Sequence, residues 1–220
     1  MSSQQDVLNT LAQVARALGN GHRLALLEHL AQTPASVETL AGKADLAVAN
    51  TSQHLQHLRR AGLVTASRCG KQMIYQLTDE RIPLLMNLLR EVAETNLAEM
   101  ERLVGQLFTD QDADGELQAV SRQELLASLT RGEVLLLDVR PQEEFAVGHL
   151  PEAINIPLDT LELLLETLPQ DREIVAYCRG PYCALSHEAV QCLRERGYRV
   201  RRFEEGFPEW KAAGLPVERA

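Results

Sequence analysis

The chain has 220 residues, 45% apolar and 24% charged, the balance of a globular protein with material for sizeable cores rather than a disordered or fibrous chain. No apolar run approaches a membrane span, Met1–Asp6 has none of the features of a signal peptide, and the expected location is cytoplasmic with no membrane partner. Net charge is −9, yet residues 1–107 carry ten Lys/Arg against ten Asp/Glu, so the whole acidic excess lies beyond them.

The first half reads as helical. Val7, Leu8, Leu11, Val14, Ala15 and Leu18 recur at helical spacing until Gly19-Asn20-Gly21. Leu24, Leu26, Leu27, Leu30 and Ala31 mark a second helix that ends near Pro34. Ser36 stands as an N-cap before the short helix Val37–Ala41, and Ala44–Ala47 makes a turn. A fourth helix, Ala49–Ala61, turns Leu55 and Leu58 inward and is stopped by Gly62 at the C′ position. Short helix, turn and a polar, amide-rich helix ending in arginines form the helix-turn-helix pattern.

Two alternating segments follow, Leu63–Arg68 and Gln72–Leu77, joined by Cys69-Gly70-Lys71. They predict a β-hairpin with a basic tip, which beside a recognition helix is a wing. From Leu46 to Thr78 there is no acidic residue, so this window is a candidate polyanion-facing surface. Asn50, Gln53 and Gln56 can bond adenine edges and Arg59, Arg60 and Arg68 can hold phosphates; with Ser52, His54 and Lys71 they are the candidate contacts to double-stranded DNA.

Ala17–Leu27, Ser52-Gln53-His54-Leu55 and Leu58–Val64 together resemble the ArsR family of winged-helix repressors. The resemblance implies a homodimer that releases operator DNA when an inducer binds. Many members sense metals through cysteines in the helix matching Val37–Leu40, and this chain has none there. One long helix is expected after Thr78, with Leu85, Leu89, Val92, Met100, Leu103 and Leu107 apolar. It contains no histidine, so the family's other zinc site is missing too; the helix is read as a dimer interface. No metal and no cofactor is expected.

Thr109–Gly115 is polar, acidic and without apolar periodicity. The expected division is therefore a mainly α winged helix-turn-helix domain over 1–107, a linker over 108–115 and an α/β domain over 116–220. In that half a helix over Arg122–Leu129 precedes the apolar run Val134–Val139, and a helix near Leu161–Leu168 precedes Glu173–Tyr177. A helix from Cys183 to Arg196 leads to a third strand, Tyr198–Phe203. Alternation of this kind predicts a parallel sheet covered on both faces.

At the end of the second strand stands Tyr177-Cys178-Arg179-Gly180-Pro181-Tyr182-Cys183-Ala184. Strand, tight loop and helix start can converge backbone N–H groups on an anion and favour thiolate over thiol at Cys178. Arg179, Gly180, Pro181, Tyr182 and Ala184 are the expected cradle, with the Arg179 side chain either adding positive potential or facing solvent.

Leu137-Asp138-Val139-Arg140, the run Glu144–Pro157, Tyr177–Gly180, Gly206–Trp210 and Gly214–Val217 are similar to the rhodanese domain. The resemblance implies that Cys178 takes up a sulfane sulfur as a persulfide, from a small donor such as persulfide, polysulfide or thiosulfate, and passes it on. Asp138, Arg140 and His149 then have structural roles beneath the loop. Cysteine phosphatases of the related fold carry an arginine six residues after the nucleophile; here that residue is Ala184, which argues against phosphate chemistry. Cys183 stands where active rhodaneses often have a polar side chain, and it can act as a resolving thiol or pack as a small residue. His187 is expected to be exposed, Cys192 to be core and Cys69 incidental.

Two functional readings lead, ahead of a metal- or oxidant-responsive repressor that uses Cys178 and Cys183 directly, for which two thiols make a weak metal site. In one, a repressor senses sulfane sulfur through Cys178 and Cys183. In the other, a sulfurtransferase is localised or regulated by a winged helix.

Overall fold

The computed structural model describes residues 3–108 and 119–220, which divide into two compact units, 1–86 and 87–220. The expected linker, 108–115, lies outside the described residues from 109 onward, as does the side chain of Leu107.

In the first unit, helix α1 (Gln4–Leu18) opens on a capping box: the Asp6 amide donates to the Ser3 hydroxyl and the Ser3 amide to the Asp6 carboxylate. Helix α2 (Gly21–Gln32) is capped by Asn20, and α3 (Val37–Lys43) by Ser36, as its sequence predicts. Helix α4 (Val48–Arg60) ends just before Ala61, and Gly62 at C′ takes φ +74°, where a Cβ would be strained. The wing strands β2 (Val64–Cys69) and β3 (Gln72–Leu77) pair antiparallel, Val64 opposite Leu77 and Cys69 opposite Gln72. A third strand, β1 (Ala35–Ser36), extends this sheet; two residues with no alternating pattern give no strand signal in the sequence. Leu26, Leu27, Leu40, Leu55 and Leu58 are wholly buried in one core.

The expected long helix is two: α5 (Ile82–Asn96) and α6 (Ala98–Phe108). The Asn96 side chain donates to the Val92 carbonyl at 2.8 Å, and the Leu97 carbonyl accepts from the Met100 amide. A side-chain amide that competes for a helical carbonyl favours such a break. Leu85, Leu88, Leu89, Val92, Leu97 and Leu103 are exposed.

In the second unit α7 (Arg122–Arg131) leads to β4 (Val134–Asp138), α8 (Gln142–Val147) and β5 (Ile154–Asn155). Helix α9 (Leu158–Leu164) and a single 3-10 turn precede β6 (Glu173–Tyr177). Then come α10 (Ala184–Glu195), β7 (Val200–Arg202) and α11 (Phe207–Ala212). The four strands are parallel in the order β5-β4-β6-β7. Two-residue β5, and short helices α8 and α11, were too brief to register as periodic patterns.

Alternate residues of the central strands enter opposite cores. Leu137, Ile174 and Ala176 pack with Leu161, Val190 and Leu193; Leu136, Val175 and Tyr177 pack with Leu125, Phe203 and Trp210. Burial on both faces is why these strands read as continuous apolar runs. No described helix is long and apolar enough to cross a membrane.

Candidate functional site

Cys178 follows the last residue of β6 and is buried. The carboxyl ends of parallel strands are where such sheets place ligands. Cys183, half-buried, is the N-cap residue of twelve-residue α10 and makes no side-chain capping bond, so the positive end of that helix faces the loop. In this structure Cys178 and Cys183 are joined by a disulfide, their Cα atoms 6.5 Å apart. The Cys183 amide donates to the Gly180 carbonyl at 3.1 Å, which closes the turn between them. Ser186, buried on the first turn of α10, holds its hydroxyl 3.3 Å from both Cys178 Sγ and the Cys183 carbonyl. A neutral donor there can turn to the sulfur when it carries charge. Sequence reasoning passed over Ser186; its position one turn into the helix was the available signal.

The cradle residues divide. Pro181 has no N–H and cannot donate; its carbonyl instead accepts from Arg202 at 3.3 Å. Arg179 turns its side chain, 28% exposed, to a buried partner. Its guanidinium makes a two-pronged pair with the wholly buried Glu144, Nε to Oε2 and Nη2 to Oε1 each at 2.9 Å. Its charge is thus largely answered within the fold. Tyr182 sends its hydroxyl to Glu94 of α5, within the same unit. Gly180 and Ala184 flank the turn with no side chain of size.

Beneath the loop the motif Gly206–Trp210 acts as a support. A Cβ on Gly206 would stand 2.4 Å from the Gly180 nitrogen and 2.7 Å from the Cys178 carbonyl, so only glycine permits this approach. The Phe207 amide donates to the Cys178 carbonyl at 3.2 Å, and the Gly206 amide to Glu209 at 3.0 Å. Burial pushes the Glu209 carboxyl up.

Asp138 and Arg140, both fully buried, form a bidentate pair, and Arg140 also donates to the Gly148 carbonyl at 2.8 Å. The Arg140 guanidinium lies 4.5 Å from the centroid of Phe207. Removing one partner of such a pair costs about 3–5 kcal/mol. His149 stacks on Phe145 with centroids 3.7 Å apart. These residues hold the architecture under the loop and do not touch the sulfurs.

His187 departs from expectation. It is half-buried, and burial followed by the nearby Arg202 charge lowers its pKa to about 4. Cys192 is half-buried against the core and Cys69 is exposed on the wing.

In the first unit α4 presents Asn50, Gln53, Gln56, Arg59 and Arg60 exposed, opposite the buried Thr51, Leu55 and Leu58. Ser52 and His54 are half-buried, and the His54 ring sits 5.6 Å from that of His22. Burial, then the Arg23 charge, lowers the His54 pKa. Arg60 lines a cavity of about 220 Å³ with Arg16, Arg23 and His57. Arg68 and Lys71 are exposed at the wing tip.

Comparison with known proteins finds a relative for each half of the chain. Residues 18–65 match a helix-turn-helix domain family and residues 121–213 the rhodanese-like domain family. The HTH-type transcriptional regulator Rv0324 of Mycobacterium tuberculosis is 40% identical over 99% of this chain and 96% of its own length. A sulfurtransferase of Allochromatium vinosum is 36% identical over 39% of this chain and 78% of its own. A solved homodimeric winged helix-turn-helix domain of a possible ArsR-family regulator from Mycobacterium bovis is 34% identical, covering 45% of this chain and 95% of that one, with a TM-score of 0.40. Winged helix, rhodanese-like sheet and 40% identity over nearly the whole chain converge: the chain belongs to the ArsR-type HTH transcriptional regulators and carries a rhodanese-like domain of its own.

Proposed function

We propose that this DNA-binding regulator is a homodimer of the cytoplasm whose rhodanese-like domain senses sulfane sulfur, with a linker at 108–115 between DNA-binding and sensing domains. The observation that carries the reading is the Cys178–Cys183 pair, closed into a disulfide at the start of α10. The Cys178 thiolate attacks the outer sulfur of a persulfide R–S–SH; the donor S–S bond breaks, RS⁻ leaves, and Cys178 becomes Cys–S–SH. The Cys183 thiolate then attacks Cys178 Sγ, the S–SH bond breaks, and HS⁻ leaves. The pair ends oxidised by two electrons and the sulfane sulfur reduced to sulfide.

One such cycle flips a covalent state without turnover, which suits a switch. Operator contacts are assigned to Asn50, Ser52, Gln53, His54 and Gln56 for bases and to Arg59, Arg60, Arg68 and Lys71 for phosphates. The exposed apolar residues of α5 supply a self-association face.

Gel-shift titration of the reduced full-length protein with sodium tetrasulfide tests the reading, with mass spectrometry of the Cys178–Cys183 peptide in parallel. Operator affinity is expected to change tenfold or more for wild type and not at all for Cys178→Ser. Ser186→Ala should load sulfur more slowly, because the thiolate loses a hydrogen bond of about 1.5–3 kcal/mol. Equal affinity before and after loading in wild type would overturn the sensor, and sustained thiosulfate turnover would favour the sulfurtransferase.

A further inference from the structure

Two long side chains leave the loop between the cysteines: Arg179 goes to Glu144, and Tyr182 goes to α5. Tyr182 precedes Cys183 directly, and its hydroxyl donates to the Glu94 carboxylate on α5. The Arg90 guanidinium lies 5.6 Å from the Tyr182 ring centroid, and its Nε is 3.8 Å from Glu94. Arg90 is largely buried, its side chain 17% exposed, and it also donates to Asn87 one turn back. The three side chains form a closed set of hydrogen bond, ion pair and cation–π contact. They sit within the unit 87–220 and on the helix that runs on from residue 82.

None of these contacts reaches a sulfur, and neither winged-helix recognition nor persulfide chemistry requires them. Arg90 also exerts its charge on Glu209, whose carboxylate accepts from Gly206 under the loop. Helix α5 therefore meets the sulfur loop through Tyr182.

We propose that Tyr182 is a positioning residue through which α5 reads the state of the Cys178–Cys183 pair. With the pair bridged, Cys183 is drawn to Cys178 and the adjacent Tyr182 is held where Glu94 and Arg90 receive it. When the bridge is absent, Cys183 is no longer tied across the turn, and the Tyr182 clamp on residues 90–94 relaxes. The proposal deepens the sensor reading and rests on it for its purpose, but the coupling is measurable without DNA.

The test is hydrogen exchange of residues 87–96 in the full chain, bridged against reduced. Dithiothreitol supplies the two electrons, leaving two cysteine thiols and its own cyclic disulfide. In wild type, exchange of this segment is expected to speed up fivefold or more on reduction. Tyr182→Phe and Glu94→Ala should exchange at the fast rate in both states. Glu94→Gln keeps an acceptor for the tyrosine and should restore a state-dependent difference, a rescue that loss of packing alone would not show.

An unchanged 87–96 segment in wild type overturns the coupling, as does Tyr182→Phe that responds like wild type. Operator affinity on the same samples separates the two ideas. If α5 responds while affinity does not, the sensor reading fails and the coupling stands. If affinity responds equally in wild type and Tyr182→Phe, the coupling fails and the sensor stands.

Discussion

Ser186 and His187 sit side by side on α10 and show how a neighbour's burial decides what a polar side chain does. Ser186 is turned onto the sulfur pair. His187 packs where an imidazolium would lose its hydration, and Arg202 adds like charge, so the ring stays neutral down to about pH 4. The unfolded chain protonates this histidine near its ordinary 6.5. His187 therefore contributes stability that is fully present above pH 6.5 and is lost as pH falls towards 4. Urea unfolding of the full chain at pH 7 and pH 4.5 should show His187→Gln losing less stability across this window than wild type; equal losses would mean that the ring is not held neutral.

The partner of Arg179 could not be read from its position beside Cys178. That partner is Glu144, thirty-five positions away in sequence. No local pattern announces a buried carboxylate as the partner of a particular guanidinium.

At the scale of elements, the sequence reads well where periodicity is long and poorly where an element is held only by its neighbours. Helices α1 to α4 and strands β2, β3, β4 and β6 carry enough regular apolar positions to be placed within a few residues. The short α11 does not, yet it carries the loop. Its first turn begins at Gly206, against which the backbone of Cys178–Gly180 rests. Gly206→Ala should therefore displace the loop at an overpacking cost of about 1–3 kcal/mol. The expected result is a lowered urea midpoint for the second unit and slower tetrasulfide loading of Cys178. Loading at the wild-type rate would show that the close approach is dispensable. The break at Leu97 belongs here too: apolar spacing continues across it, and only the Asn96 side-chain bond to the Val92 carbonyl marks the place.

For the whole molecule, the exposed apolar residues Leu88, Leu89 and Val92 of α5 carry the prediction of self-association. A carboxylate placed in such a face opposes its burial against a second copy. Light scattering of the Leu88→Glu, Val92→Glu double variant should give the mass of one chain where wild type gives two; a variant that remains dimeric would move the interface elsewhere.

By itself the sequence determined the two-part plan, the helix-turn-helix and wing, the alternating α/β half and the place of Cys178 at the end of a central strand. Each of these rests on local chemistry: capping residues, period, turn glycines and motif spacing. Tertiary structure alone decided that Arg179 answers Glu144, that Gly206 underlies the loop, that His187 is held neutral and that Tyr182 reaches Glu94. Those outcomes depend on which distant residues share a small volume, and burial there sets charge, hydrogen bonding and permitted size. Sequence spacing encodes what repeats along the chain, whereas packing joins residues that nothing along the chain relates.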